Sequence, residues 1–95
     1  MKLHELKIKD EYMDAILFGR KTFELRKNDR DYQAGDLIKF NVVCKDGTIE
    51  TEKYLSIYLN KELYKIIYVL KDVPQYGLDA DYCILGIKRL RIEEV

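Results

Sequence analysis

Between Gly19 and Asp36 the chain places five cations, four acids, an Asn, a Gln and two glycines within eighteen residues. Inside this run Thr22 to Lys27 alternates polar and apolar, as a strand with one buried face does. The period of two puts Phe23 and Leu25 on one face and Thr22, Glu24 and Arg26 on the other. The ordinary expectation is that Phe23 and Leu25 enter the core. A carboxylate and a guanidinium then lie side by side, about 7 Å apart along the strand. So dense a set of hydrogen-bonding groups is costly to assemble for packing alone. This stretch is therefore the candidate site, and the rest of the chain its scaffold.

The residues before it form a strand and a helix. Leu3, Leu6 and Ile8 alternate as a first strand, and His4 within it is expected to be partly buried and hydrogen-bonded. Asp10 is placed to cap a helix, with Glu11 in the first turn, where negative charge suits the helix dipole. Tyr12, Ala15 and Ile16, flanked by Met13 and Leu17, give it one broad apolar face. Gly19 is placed to end the helix, with Arg20 and Lys21 beside its negative end. Lys21 thus falls at a helix-to-strand corner.

Beyond Thr22 to Lys27 comes a polar loop to Gln33, where Asn28, Asp29 and Asp31 are good turn formers. A second turn follows at Ala34-Gly35-Asp36. Leu37 to Cys44 reads as a strand and Asp46-Gly47 as a two-residue hairpin turn. Thr48 to Lys53 is expected to pair back at an edge, and Tyr54 to Lys61, which fits both strand and helical turn, is expected to be an irregular or edge segment. Glu62 to Lys71 is so continuously apolar that burial on both faces is expected. Pro74 and Gly77 mark a loop. Tyr82 to Leu90 is a last strand, in which Gly86 predicts a bulge or tight bend. Arg91 to Val95 is a charged tail.

One helix, five or six strands and no parallel βαβ rhythm define an α+β, mainly β class. A small, partly open β-barrel with the helix packed at the barrel end fits best. The 95 residues form a single domain, 1–95. Cys44 and Cys83 have no metal-binding spacing, and His4 cannot complete a zinc site with them, so no metal and no cofactor are expected. Both cysteines fit small buried hydrophobes in a reducing, cytoplasmic setting. No apolar run approaches the ~20 residues of a membrane span, and no signal segment is present.

Seventeen basic and seventeen acidic side chains cancel, which excludes coating of nucleic acid by bulk charge. A local basic cleft remains open to the chain. Arg binds planar, bidentate partners such as phosphate or a base edge, and Glu accepts from exocyclic amines. Lys21, Glu24 and Arg26 therefore make a candidate nucleotide pocket, with Arg30 and Tyr32 at its rim. Tyr32 and Tyr76 are candidate stacking surfaces for a base.

Gly19-Arg20-Lys21-Thr22-Phe23-Glu24-Leu25-Arg26 resembles the Gly-x-Lys-x-x-Glu-x-Arg motif of ASCH domains, in the PUA-like superfamily. The segments 4–8, 26–33, 35–36 and 82–87 are similar to a small bacterial and phage branch whose function is uncharacterised. The likeness covers nearly the whole chain except about residues 48 to 61. It implies a PUA-like barrel whose cleft beside the helix receives Lys21, Glu24 and Arg26 and binds RNA, single-stranded nucleic acid or a nucleotide. A related enzyme branch deacetylates acetylated cytidine with a Lys, a Thr nucleophile and a Glu. Here Glu24 occupies the threonine position, which turns the expectation away from an enzyme. Two alternatives stand beside binding. One is a modified-nucleoside amidohydrolase using Lys21 and Glu24 as acid and base. The other is a protein-interaction accessory module.

Overall fold

The computed structural model describes residues 1–48, 59 and 61–91. The expected edge strand up to Lys53 and the ambiguous segment from Tyr54 lie outside these residues, apart from Thr48, Leu59 and Lys61. So does the tail beyond Arg91. Among the described residues five strands and the helix α1 follow in the order β1 (Leu3–Lys9), α1 (Asp10–Leu17), β2 (Phe23–Lys27), β3 (Leu37–Val43), β4 (Tyr64–Leu70) and β5 (Tyr82–Arg89). The strands form one curled half-barrel sheet in the order β1-β3-β4-β5-β2, the architecture of a small α+β PUA-like barrel. A 3-10 turn, Pro74–Tyr76, stands between β4 and β5.

The pairing of β1 with β3 is parallel, from Leu3 opposite Leu37 to Lys9 opposite Val43. It arises without the parallel βαβ rhythm that the sequence lacks. The crossover contains α1 and β2, and β2 leaves to pair with β5 at the far side of the sheet, so no strand-helix-strand repeat marks it in the sequence. Alternation in β1 places His4, Leu6 and Ile8 inside. Helix α1 turns Met13 and Ile16 onto the sheet but leaves Tyr12 exposed, a narrower face than its sequence implies. Asp10 lies in the first turn rather than at the cap, which falls on Lys9. Gly19, at φ +79°, takes the left-handed conformation just past the helix end.

The core joins Leu6, Ile8, Ile38, Phe40, Val42, Ile66, Leu85 and Ile87 from the sheet to the two helix residues. Strand β4 buries only one face: Tyr64 and Ile66 are inside, whereas Ile67, Tyr68 and Leu70 are exposed. The expected two-sided burial fails because no element of the described chain covers the outer face. A register shift between Ile66 and Tyr68 lies opposite Gly86, where the glycine predicted an irregularity. At Asp46-Gly47 the turn is present, but three residues separate Cys44 and Thr48, whose backbones bond at 2.8 Å.

Strand β2 reverses the expected parity. Phe23 and Leu25 are 47% and 54% exposed, while Glu24 is only 5% exposed. Glu24 stands opposite the buried Leu85, and Arg26 opposite the buried Cys83. The polar face points inward because its charges find partners there.

The sheet's two edge strands, β1 and β2, meet through side chains. Arg26 Nη1 donates to the Lys7 carbonyl at 2.8 Å, and Arg30 Nη1 to the Glu5 carbonyl at 3.0 Å. These bonds occupy acceptors that an edge strand would otherwise present to solvent.

Candidate functional site

Lys21 is fixed at the corner by its backbone N–H, which donates to the Ala15 carbonyl at 2.8 Å. Its Nζ donates to Glu24 Oε1 at 2.6 Å. It also lies 5.1 Å from the ring centre of Phe23 and 5.4 Å from that of Tyr12. Arg26 Nη1 stands 3.5 Å from Glu24 Oε2, a length at which charge attraction outweighs directed hydrogen bonding. The three residues that the sequence singled out therefore form one cluster around a buried carboxylate.

The cluster lines a cleft of about 570 Å³ between the end of β1, the start of α1 and β2. Lys7, Lys9, Lys21 and Arg26 contribute four cations to its wall against the single carboxylate of Glu24. Apolar surface comes from Tyr12 and Phe23. In a chain of zero formal charge, this is the local basic cleft. A second cleft, of about 680 Å³, adjoins Lys21 at the end of α1 and is bounded by Phe18, Thr22, Glu62, Tyr64 and Arg89.

Arg30 and Tyr32 do not complete the first cleft's rim. Arg30 is engaged at β1 as described. Tyr32, 2% exposed, belongs to the core, with its ring 4.8 Å from that of His4. The ring is thus closed to stacking from solvent, because the loop after β2 folds inward over His4. Among the described residues no group meets its buried hydroxyl in hydrogen-bonding geometry. Burial pushes the phenol's pKa up, and the nearby Arg26 and Arg30 cations offset part of that. Tyr76, by contrast, is exposed.

Asp36 carries more than the turn role expected of it. Its side chain is buried and accepts from His4 Nε2 at 2.8 Å, from the Lys2 N–H at 3.1 Å and from the Gln33 N–H at 3.1 Å. Burial opposes ionisation, but the bonds from His4, Lys2 and Gln33 outweigh it and hold the carboxyl below its ordinary value. This hub ties the start of β1 to the loop preceding β3. The one local signal for it is a histidine on the inward face of β1, which needs a polar partner when buried.

Cys83 is buried and Cys44 half-buried, and no disulfide joins them. Burial pushes the Cys83 thiol up, the direction of an unreactive sulfur. Among the described residues no group of three or more His, Cys, Asp or Glu is placed to hold a metal ion. No helix among them is long and apolar enough to cross a membrane.

Fold and site together define a small PUA-like half-barrel with a Lys-Glu-Arg cluster around a buried carboxylate at the mouth of a basic cleft. The chain belongs to the family described as a domain of unknown function, DUF3850, which matches residues 3–87. It is also 46% identical over 37 residues to an uncharacterised 12.9 kDa protein in the GpA 3' region of Escherichia phage P2. That match covers 39% of this chain and 34% of the phage protein, so about a third of the relative's length is spanned. The crystal structure of hypothetical protein PH0355 superposes with a TM-score of 0.57 at 17% identity. It covers 95% of this chain and 100% of that one, a likeness of fold.

Proposed function

We propose that the chain is an ASCH-type module that binds RNA, single-stranded nucleic acid or a nucleotide in the cleft lined by Lys21, Glu24 and Arg26. It works in the cytoplasm, where Cys44 and Cys83 stay reduced. The observation that carries this reading is the buried Glu24 carboxylate held between two cations on a cleft wall of four cations and one acid. Buried ion pairs add little net stability, so a cluster of this kind is weakly explained by folding alone. A phosphate would meet the cations, and a base amine the remaining lone pairs of Glu24.

The amidohydrolase reading is the weaker one. Both Glu24 oxygens already face cations, and Thr22 borders the second cleft rather than the first.

The test is titration of the four ribonucleosides and their monophosphates, followed by amide chemical shifts. Shifts clustered at Lys21 to Arg26, with affinity about tenfold lower or more in Arg26→Met, are expected from loss of a charge-assisted hydrogen bond. Absence of binding by every nucleoside and nucleotide at low salt would refute it.

A further inference from the structure

The second cleft, at the end of α1, takes no part in the function proposed above. At about 680 Å³ it has the size of a small-molecule site. Its apolar lining comes from both sides of the fold. Ile16 and Ile87 are buried, Leu17 packs against the core, and Phe18, just past the helix end, is 60% exposed. Tyr64 also lines it and is only 3% exposed. No group among the described residues meets the Tyr64 hydroxyl in hydrogen-bonding geometry. Buried hydroxyls are nearly always bonded, so this one lacks a partner that a ligand can supply.

A cation and a carboxylate flank that hydroxyl. Arg89 stands opposite Tyr64 in the register of β4 and β5, and Glu62 lies two residues before it. Burial has the largest effect on the phenol's pKa, but both charges reach it, Arg89 drawing it down and Glu62 pushing it up. Yet among the described residues neither Arg89 nor Glu62 joins an ion pair. The exposed Arg89 donates from Nη1 to the Leu17 carbonyl at 3.3 Å, a long bond that leaves its other donors to be used. Lys21 and Lys88 border the cleft as well, but Lys21 is paired with Glu24 and Lys88 has a partner of its own. The charges left to a ligand are thus one positive and one negative, beside an apolar wall.

We propose that the second cleft binds a free α-amino acid with an apolar side chain, its carboxylate on Arg89 and the Tyr64 hydroxyl, its ammonium on Glu62 and its side chain against Leu17 and Phe18. A zwitterion bridges two opposite charges that do not pair with each other. Guanidinium suits the planar carboxylate, and a small turn of Arg89 away from the Leu17 carbonyl brings that carboxylate within reach of the hydroxyl. Glu62 disfavours a phosphate dianion here, in contrast to the first cleft with its four cations and one acid. The argument stands without nucleotide binding in the first cleft.

The experiment is a titration with phenylalanine and with leucine, followed by amide chemical shifts. Phenylalaninamide, which lacks the carboxylate, and N-acetylphenylalanine, which lacks the ammonium, are titrated beside them. Shifts are expected at Leu17 to Thr22, Tyr64 and Arg89, with each blocked form bound about tenfold more weakly or worse. Arg89→Gln alters an exposed side chain and is expected to weaken phenylalanine binding about tenfold or more. Tyr64→Phe removes only the unpartnered hydroxyl and is expected to weaken it roughly fivefold. Phenylalanine bound by a protein that binds no nucleotide sustains this site and removes the reading of the first cleft. No shift with either amino acid at about 10 mM overturns the proposal. So do blocked forms that bind as tightly as phenylalanine, affinity unchanged in both variants, or shifts confined to Lys7, Lys9 and Arg26.

Discussion

Removing Lys21 tests whether the buried cluster serves folding or binding. The Glu24 side chain is 7% exposed, that of Lys21 16% and that of Arg26 24%. In Lys21→Met the carboxylate loses its 2.6 Å partner and keeps only the 3.5 Å contact with Arg26. Stranding one partner of a buried pair costs roughly 3–5 kcal/mol. Arg26 remains, so a value of about 3 kcal/mol is expected, or roughly 12–24 °C in Tm for a domain of this size. Glu24→Leu should cost less, about 1–2 kcal/mol. The freed ammonium keeps the faces of Phe23 and Tyr12, and its flexible stem can carry it to water. The double variant Lys21→Met, Glu24→Leu places apolar side chains beside Leu85 and should fall within about 1 kcal/mol of the parent. Urea unfolding at pH 7, followed by far-UV circular dichroism, gives all four corners of the cycle. A cost below about 1 kcal/mol for Lys21→Met, or a double variant that loses the sum of the singles, would refute the reasoning. If the cycle behaves as expected, the double variant is a folded protein whose cleft lacks Lys21 and Glu24 and keeps Arg26.

Two further outcomes follow from the polar groups in the interior. Asp36 has its carboxyl held below the ordinary 3.8, so its contribution is complete above that value and lost as pH falls through the lower folded one. Asp36→Asn should cost about 1–3 kcal/mol at pH 7 and flatten the decline in stability below about pH 4, as read by urea midpoints across an acid series. Among the described residues no group meets the buried Tyr64 hydroxyl in hydrogen-bonding geometry, and burial pushes its pKa up to about 12, opposed by the charge and the proximity of Arg89. Tyr64→Phe removes only that hydroxyl, so thermal unfolding at neutral pH should show stability unchanged or slightly raised. A loss above about 1 kcal/mol would mean that the hydroxyl is hydrogen-bonded in solution.

Local pattern carried much of this fold. The alternation of β1, the helix end at Gly19, the turn at Asp46-Gly47 and the last strand all depend on neighbours in sequence. Glu24 and Arg26 share an inward-facing side because two-residue spacing requires a common face, and Lys21 joins them from the corner before β2. Which face turns inward is a different matter. It depends on Lys7, whose carbonyl receives Arg26, and on Leu85 and Cys83, which stand opposite β2. Those residues are distant in the chain, so propensity favoured the wrong side for Phe23 and Leu25. Tyr32 escaped for the same reason, since its burial is set by His4. Asp36 looked like a turn residue because Asp suits turns, and only tertiary structure brings His4 and the Lys2 N–H to it.

The register shift in β4 has a consequence for how the strand tolerates length changes. Tyr64 and Ile66 point inward, and an unbroken alternation would send Tyr68 and Leu70 inward after them. Because the ladder skips Ile67, Tyr68 and Leu70 emerge on the outer face and Val69 turns toward the core. Ile67 is therefore the position where the strand can lose a residue and keep both faces in phase. Losing Val69 instead would bring Leu70 into its place and pull each later residue one step along the strand, out of its present pairing with β5. Among relatives that vary in length through β4, a gap at the site of Ile67 would be silent, and a gap two residues later would not.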